Sequence, residues 1–272
     1  LVRQLEGKVM TLSNDQYHAD PAVSASHLHA IAKSGQHYWS RFLDPQRQPV
    51  EPTAAMRLGS LVHCAVLEPE ELHKRYAVCL PRNTKAGKEM ALELDAKGIE
   101  AVTGSDMDLA LAMAVSVRSH PVAAELLSVG LAEQSVWWDD PATGLRCKCR
   151  PDWINGLTIV DLKTTTDASP DFARSVAQYR YHVQQAHYLQ SHIADRFIFL
   201  AVEKTFPYCV ATYELDADAV AVGEQLRQSN LQAIANCKDA QSWPGYTDQI
   251  QTLSLPRWAQ NTPELALSPD DF

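Results

Sequence analysis

No run of apolar residues in this chain of 272 is long enough to cross a bilayer, and its opening segment, LVRQLEGKVM, lacks the hydrophobic stretch of a secretory signal. No membrane contact and no export are expected. Paired cysteines are missing as well. The six cysteines are scattered or sit as Cys147-x-Cys149, with no C-x-x-C pair, so reduced thiols in a cytoplasmic protein are expected rather than a disulfide framework. The G-x-x-x-x-G-K-[ST] phosphate loop is absent, which argues against any need for ATP. Positive charge is short: 24 Lys and Arg against 33 Asp and Glu leave a formal charge of −9. That balance disfavours a broad nucleic-acid-coating surface, so any contact with DNA has to be local and helped by metal ions. There is no internal repeat and no low-complexity segment. The chain begins with Leu1 rather than an initiator Met, as a piece of a longer protein would.

The first third has the texture of helices. SASHLHAIAKSG offers Ser24 or Ser26 as N-cap and Gly35 as a stop, and TAAMRLGSLVHCAVLEP runs from a Thr53 cap to Pro69. KAGKEMALELDAKG and SDMDLALAMAVSVRSHP continue the pattern. From Leu131 the period changes: EQSVWW, LRCKCRPDWI and LTIVDLKT have strand character, broken by DDPATG and NG. A helix is expected over 171–194, then strands RFIFLAVEK and YCVATYEL, then a helix over 216–236. The fold class is α+β, one central mixed sheet flanked by helices. Residues 1–242 are expected to form a single domain with a helical N-terminal part, and 243–272, rich in proline, a loop-like tail.

The stretch CRPDWINGLTIVDLKTTT holds the chemistry. Asn155-Gly156 between two strand-like runs is a two-residue hairpin signal. A turn centred there pairs Ile154 with Leu157, and Asp152 with Ile159. One face then carries Arg146, Lys148, Arg150, Asp152, Ile159, Asp161 and Lys163, and the other the core residues Cys147, Cys149, Trp153, Val160 and Leu162. Asp152 and Asp161 become diagonal neighbours about 7–8 Å apart, a spacing that invites a divalent cation of the Mg²⁺ or Mn²⁺ type. Lys163 on the same face is placed to steady a phosphoryl oxygen. A solvated outer face with surface ion pairs is the plainer reading of the same pattern. Cys147 and Cys149 fall on the core face and are expected as small buried hydrophobes.

Pro151-Asp152 followed by Asp161-Leu162-Lys163 resembles the PD-(D/E)xK motif of metal-dependent nucleases, and more of the chain is similar to the RecB-like and λ-exonuclease-like branch. Gly59-x-x-x-His63 resembles the helical element of that branch which supplies a histidine to the metal. Gln184 and Tyr188 resemble its Gln-x-x-x-Tyr helix, which lines the active site. The resemblance implies a PD-(D/E)xK nuclease fold and Mg²⁺, with Mn²⁺ as a substitute, held by His63, Asp152, Asp161 and the backbone carbonyl of Leu162. It implies Lys163 as the group that activates water, with Gln184 and Tyr188 beside it. It further implies a bacterial, ATP-independent exodeoxyribonuclease that digests double-stranded DNA ends 5′ to 3′, leaves 3′ single-stranded tails for recombination and repair, assembles as a ring-shaped homo-oligomer, and works with a single-strand annealing protein of the RecT kind. A site-specific endonuclease of the same fold, or a non-catalytic DNA- or partner-binding module, are the alternatives. Arg57, Lys148 and Arg150 are candidate contacts to DNA phosphates, with ordinary surface charge as the other reading. Glu133 is expected near Arg150, as a structural salt bridge or a metal ligand. The early serine-containing helix is a weak candidate for binding a phosphate. His63 has the alternative of a plain core histidine.

Overall fold

The computed structural model describes residues 9–48 and 51–256. In chain order the elements are β1 (Val9–Met10), α1 (Asn14–Ala19), α2 (Ala25–Ile31), α3 (Gly35–Phe42), α4 (Ala54–Leu67), α5 (Leu72–Arg75), β2 (Tyr76–Val78), α6 (Lys85–Ala96), β3 (Glu100–Val102), α7 (Gly104–Ser119) and α8 (Pro121–Leu126). There follow β4 (Leu131–Ala132), β5 (Ser135–Asp139), β6 (Arg146–Cys149), β7 (Trp153–Asn155), β8 (Thr158–Thr165), α9 (Phe172–Gln178), α10 (Tyr181–Leu189), β9 (Arg196–Glu203), β10 (Val210–Tyr213) and α11 (Ala217–Ala240).

Local chemistry accounts for most of these boundaries. Thr53, Thr84, Thr103 and Asp216 cap α4, α6, α7 and α11 by accepting from a free backbone N–H of the first turn. Gly35 does not stop a helix as expected. α2 ends before it, and Ser34 accepts from the His37 N–H to start α3. The single helix expected over 171–194 is two helices, because Arg180 adopts the left-handed conformation (φ 58°) and ends α9. No glycine or proline announces that break.

A five-stranded mixed sheet, ordered β10-β9-β8-β7-β4, carries the centre of the molecule. β8 runs parallel to β9, with α9 and α10 forming the crossover, while β7 and β10 are antiparallel to their neighbours. This is the expected central mixed sheet; among the described residues a three-stranded sheet, β1-β5-β6, and a short parallel pair, β2-β3, stand beside it. α4 and α7 cover one face of β8 and β9 over Val160, Leu162, Leu200 and Val202. α9 and α10 cover the other over Ile154, Ile159, Phe197, Phe199 and Ala201. A third apolar cluster packs α2, α3 and α11 against Cys147 and Val183.

Two expectations about the hairpin change here. The pairing Asn155↔Thr158 leaves Gly156 and Leu157 as the turn, with Gly156 at φ +63°, a first central position that favours glycine. The register is shifted by two residues from a turn centred on Asn155-Gly156. Side-chain parity survives such a shift, but Asp152 now stands directly opposite Asp161 rather than diagonal to it. The expected exposed charged face is also gone. Asp161 is 0 % exposed, Lys148 2 % and Arg150 9 %, because helices cover both faces of β8 and the N-terminal segment covers this face of β6.

The burial of Lys148 and Arg150 removes them as contacts to DNA. Lys148 Nζ donates to the carbonyls of Tyr17 and Asp20 and lies 4.4 Å from the centre of the Tyr17 ring. Arg150 donates to Ser135 Oγ, Asn14 Oδ1 and the carbonyls of Leu12 and Ser13, and its guanidinium lies over the Tyr17 ring, 4.3 Å from the ring centre. Both cations fasten the N-terminal segment to β6. Cys147 and Cys149 are fully buried as expected, and all six cysteines are free. The expected tail from 243 contains no helix or strand through 256, and it starts with an anchor: Trp243 stacks on Tyr38 with ring centres 4.9 Å apart. Its remainder, 257–272, lies outside the described residues. No helix among the described residues is long and apolar enough to cross a membrane.

Replacing Lys148 by Met tests this assignment. It leaves two buried carbonyls without their donor and should cost about 1–3 kcal/mol in chemical denaturation. The salt dependence of DNA binding should not change. A variant that unfolds like the wild type but binds DNA less tightly would return Lys148 to the surface.

Candidate active site

The site forms where the antiparallel ladder loses a strand. β5 pairs with β6, and β4 pairs with β7, in one continuous register that bends from the small sheet into the large one. At the bend lie Glu133 on one side and Arg150, Pro151 and Asp152 on the other. Register places Pro151 opposite Leu162, and proline has no N–H to give to the Leu162 carbonyl. The edge of β8 is therefore free at Leu162. Its N–H donates to Asp152 Oδ2 at 2.8 Å, and its backbone hydrogen-bonds the His63 imidazole.

His63 comes from the middle of α4, with Nδ1 3.5 Å from Asp152 Oδ2. Glu133 completes the group, its N–H donating to the Asp152 carbonyl at 3.1 Å. Glu133 stands opposite Asp152 in the ladder, and Arg150 is near enough to pull its carboxyl down without forming an ion pair with it; Arg150 Nε donates to Ser135 Oγ instead. A positive φ of 51° at Glu133 marks the bend. Ligand atoms of His63, Glu133 and Asp152 all lie within 4.8 Å of one another.

Asp161 is not in that trio. Gln184 Nε2 donates to its Oδ1 at 2.8 Å, and the Lys163 ammonium lies against its Oδ2. Lys163 also sits 4.8 Å from the centre of the Tyr181 ring. Tyr188 is set back from the carboxylates: its hydroxyl donates to the Arg150 carbonyl at 3.4 Å, bracing the backbone that precedes Asp152. Arg57 lies on the surface in an ion pair with Glu51 at 3.5 Å, lining a groove of about 610 Å³ with Arg82 and Lys204. At Gly59, one turn before His63, a Cβ would come no closer than 4.0 Å to Thr164 Oγ1. The glycine is not required there by contact with β8.

Burial shapes the electrostatics of the group. Desolvation and the neighbouring Asp152 drive the Glu133 carboxyl up to about 8. Burial raises the Asp152 carboxyl against the pull of Lys163 and the Leu162 N–H. It takes Asp161 up to about 6, again against Lys163. For Lys163 burial works against the charge, but Asp161 and Asp152 outweigh it and hold the ammonium above its ordinary range. Burial and the Lys163 charge lower His63 to about 4, so its imidazole is neutral at physiological pH.

These observations meet the requirements of a divalent cation. Two carboxyl groups and a neutral imidazole converge, one carboxyl keeps its proton because it is buried beside the other, and oxygen donors predominate, as Mg²⁺ and Mn²⁺ prefer. The residue that sequence reasoning left undecided is Glu133. Its signal was the register of the first hairpin, which the six-residue loop hid.

Comparison with known proteins agrees with the geometry. No curated protein matches the chain. A crystal structure at 2.19 Å from Eubacterium rectale, described provisionally as an exonuclease, aligns with a TM-score of 0.65 at 15 % identity, over 93 % of this chain and 99 % of that one. At that identity the likeness shows the fold. The structure of SSO0001 aligns at a TM-score of only 0.29 and 15 % identity, over 64 % of this chain and 86 % of its own, and carries no argument. Residues 24–256 match the PDDEXK-like domain of unknown function (DUF3799), a span that contains every residue of the site, and the chain belongs to that family of the PD-(D/E)xK nuclease superfamily.

Proposed function

We propose that this chain is a Mg²⁺-dependent, ATP-independent exodeoxyribonuclease acting on double-stranded DNA ends. The observation that carries the reading is the meeting of His63, Glu133 and Asp152 with the Asp161–Lys163 pair where β8 runs on beyond its pairing with β7. His63, Glu133 and Asp152 would hold the cation, with Asp161 and the Leu162 carbonyl beside them on β8 as the remaining expected ligands. The cation, when bound, supplies Lewis acidity to the scissile phosphate. Lys163, kept charged by Asp161, orients the attacking water and balances negative charge on the phosphoryl oxygens as the P–O bond to the leaving oxygen breaks. Gln184 fixes the carboxylate that fixes Lys163, and Tyr188 positions Asp152 through the Arg150 backbone. Arg57 is kept as a weak contact to phosphate.

The wording of the chain also resembles the C-terminal nuclease domain of RecE, exonuclease VIII. That resemblance, and not the residue geometry, supports 5′ to 3′ polarity, 3′ tails for recombination and repair, a ring-shaped homo-oligomer, a RecT-like annealing partner and a place in the bacterial cytoplasm. End-labelled linear duplex and covalently closed circular DNA, each with and without Mg²⁺, separate the readings. The linear substrate should lose its 5′ label and the circle should survive. A linearised circle would establish an endonuclease, and no cleavage of either a binding module.

Two further outcomes test the roles. Lys163→Ala should lower kcat by about 10²–10³-fold, the usual cost of one electrostatic contact in a dry site. Mn²⁺ affinity measured by calorimetry should survive, since the ammonium is not a ligand. Affinity that collapses together with kcat would make Lys163 a structural residue.

Proton release tests Glu133. Without metal the folded protein keeps this proton up to about 8, while the unfolded chain gives it up near 4.5. The metal-free protein should therefore lose stability as pH rises through that window, and Glu133→Gln should remove much of the loss. Metal binding near pH 7 should expel about one proton, seen as a dependence of the calorimetric enthalpy on buffer ionisation heat. His63, already neutral above about 4, adds nothing to this release. Binding without proton release would exclude Glu133 from the ligand set.

A further inference from the structure

Helix α4 has two distinct flanks. At about 3.6 residues per turn, Gly59 and His63 share one row, while Arg57, Leu58 and Leu61 fall on the opposite side. The first flank faces β8: a Cβ at Gly59 would have Thr164 Oγ1 as its neighbour at 4.0 Å, and His63 meets Asp152. The second flank lines the groove of about 610 Å³, which it shares with β3, the start of α7 and Lys204. Lys204 ties that groove to the reacting groups. Its backbone N–H donates at 2.9 Å to the carbonyl of Thr165, two residues beyond Lys163 on β8. Between the flanks the helix protrudes: residues 53–57 are all exposed, Met56 to 56 %.

The cations of the groove are little used within the protein. Lys204 has no ion pair and no side-chain hydrogen bond among the described residues. Arg82 gives one long bond, from Nη2 to the Ala101 carbonyl at 3.4 Å. Arg57 pairs at 3.5 Å with Glu51, whose side chain is 87 % exposed. Two carboxylates, Glu100 and Asp106, also line the groove, and Asp106 accepts from the Thr103 hydroxyl at the start of α7. Three cations against two carboxylates keep the balance positive in a chain of formal charge −9. An aromatic ring stands next to them. Two residues past Lys204, Phe206 is 85 % exposed on a turn fixed by two hydrogen bonds, Tyr208 N–H to the Thr205 carbonyl at 2.8 Å and Ser116 Oγ to the Tyr208 carbonyl at 2.6 Å. Uncommitted cations beside an exposed aromatic are what the phosphates and unpaired bases of a nucleic-acid strand take as partners.

We propose that the N-terminal turn of α4 stands between the two strands of the DNA substrate, with the cut strand on the His63 flank and the phosphates of the uncut strand in the groove of Arg57, Arg82 and Lys204. The inference rests on the nuclease reading and adds to it the path of the second strand. A helix with its side chains is about 10–12 Å across, close to the width of the major groove that parts two strands, so one helix end spans the distance. As the cut strand is consumed, the uncut strand loses its pairing, and Phe206 gives its bases a ring to stack on.

The test is a cycle between protein and substrate. Wild type, the double variant Arg82→Gln with Lys204→Gln, and Lys204→Gln alone are compared by equilibrium binding to a fluorescent duplex. Ca²⁺ replaces Mg²⁺, a salt series is run, and thermal melts check the fold. The duplex carries neutral methylphosphonate linkages near its end in one strand, in the other, or in neither. The groove predicts for the double variant a salt slope lower by about 1.8, the share of two phosphate contacts, and affinity reduced at least about tenfold. Lys204→Gln alone should lower the slope by about 0.9, which keeps the test intact if the double variant melts early. Neutral linkages in one strand should weaken wild type but not the double variant, and those in the other strand should weaken both alike. The coupled strand should be the one that survives digestion in Mg²⁺. Phe206→Ala should weaken binding of a duplex with an unpaired extension of that strand and leave a blunt duplex unaffected. An unchanged salt slope, neutral linkages that weaken every protein alike, or coupling to the cut strand would overturn the proposal, and so would a wild type that fails to bind DNA. Coupling to one strand, with no cleavage of linear or circular DNA, would sink the nuclease reading and leave the groove standing as a strand-selective site.

Discussion

The missing N–H of Pro151 is the constraint from which the site follows. A strand able to pair continuously with β8 would occupy the Leu162 backbone, and β8 would be an ordinary buried strand. Proline prevents that pairing, and the chain leaves one sheet for the other at this point. The freed N–H of Leu162 goes to Asp152 and its backbone meets His63. The same bend brings Glu133 to Asp152. One backbone defect thus collects three groups able to hold a metal ion, from α4, the end of β4 and the start of β7.

The electrostatic design sets a group that wants a cation beside a cation of the chain's own. Asp161 is committed to Lys163 and Gln184, so its charge is largely balanced in place. Lys163 acts less strongly on Asp152, Glu133 has no ion pair among the described residues, and its burial beside Asp152 leaves a carboxyl that holds its proton up to about 8. Two carboxylates on one hairpin are therefore divided: one organises the lysine, the other waits with Glu133 for metal. The net charge of −9 does not oppose this, because the groups that matter to an anionic substrate are local.

Sequence reasoning located the helices with polar caps, the strands with β-type runs and the Asp152, Asp161 and Lys163 trio, because each has a local physical signal. It failed where the outcome depended on tertiary geometry. The turn moved by one residue, since Asn155 is drawn into β7, where its side chain donates to the Leu126 carbonyl at 2.9 Å. Lys148 and Arg150 alternate correctly with Cys147 and Cys149, but alternation cannot tell a solvent face from one covered by α1 and its neighbours. The break at Arg180 had no glycine or proline to announce it. Glu133 was hidden because a six-residue loop leaves the register of a hairpin open.

The order in which these groups occur along the chain has a consequence for biogenesis. His63 and Gln184 are separated by about 120 residues, and α10 follows β8 in sequence. A growing polypeptide that has reached only Thr165 carries His63, Glu133, both aspartates and Lys163, but neither the glutamine that holds Asp161 nor the aromatic ring beneath Lys163. A truncated or nascent chain is therefore left with its charged residues unorganised, and an activity that would be hazardous to a cell's own DNA is withheld until the crossover helices have docked.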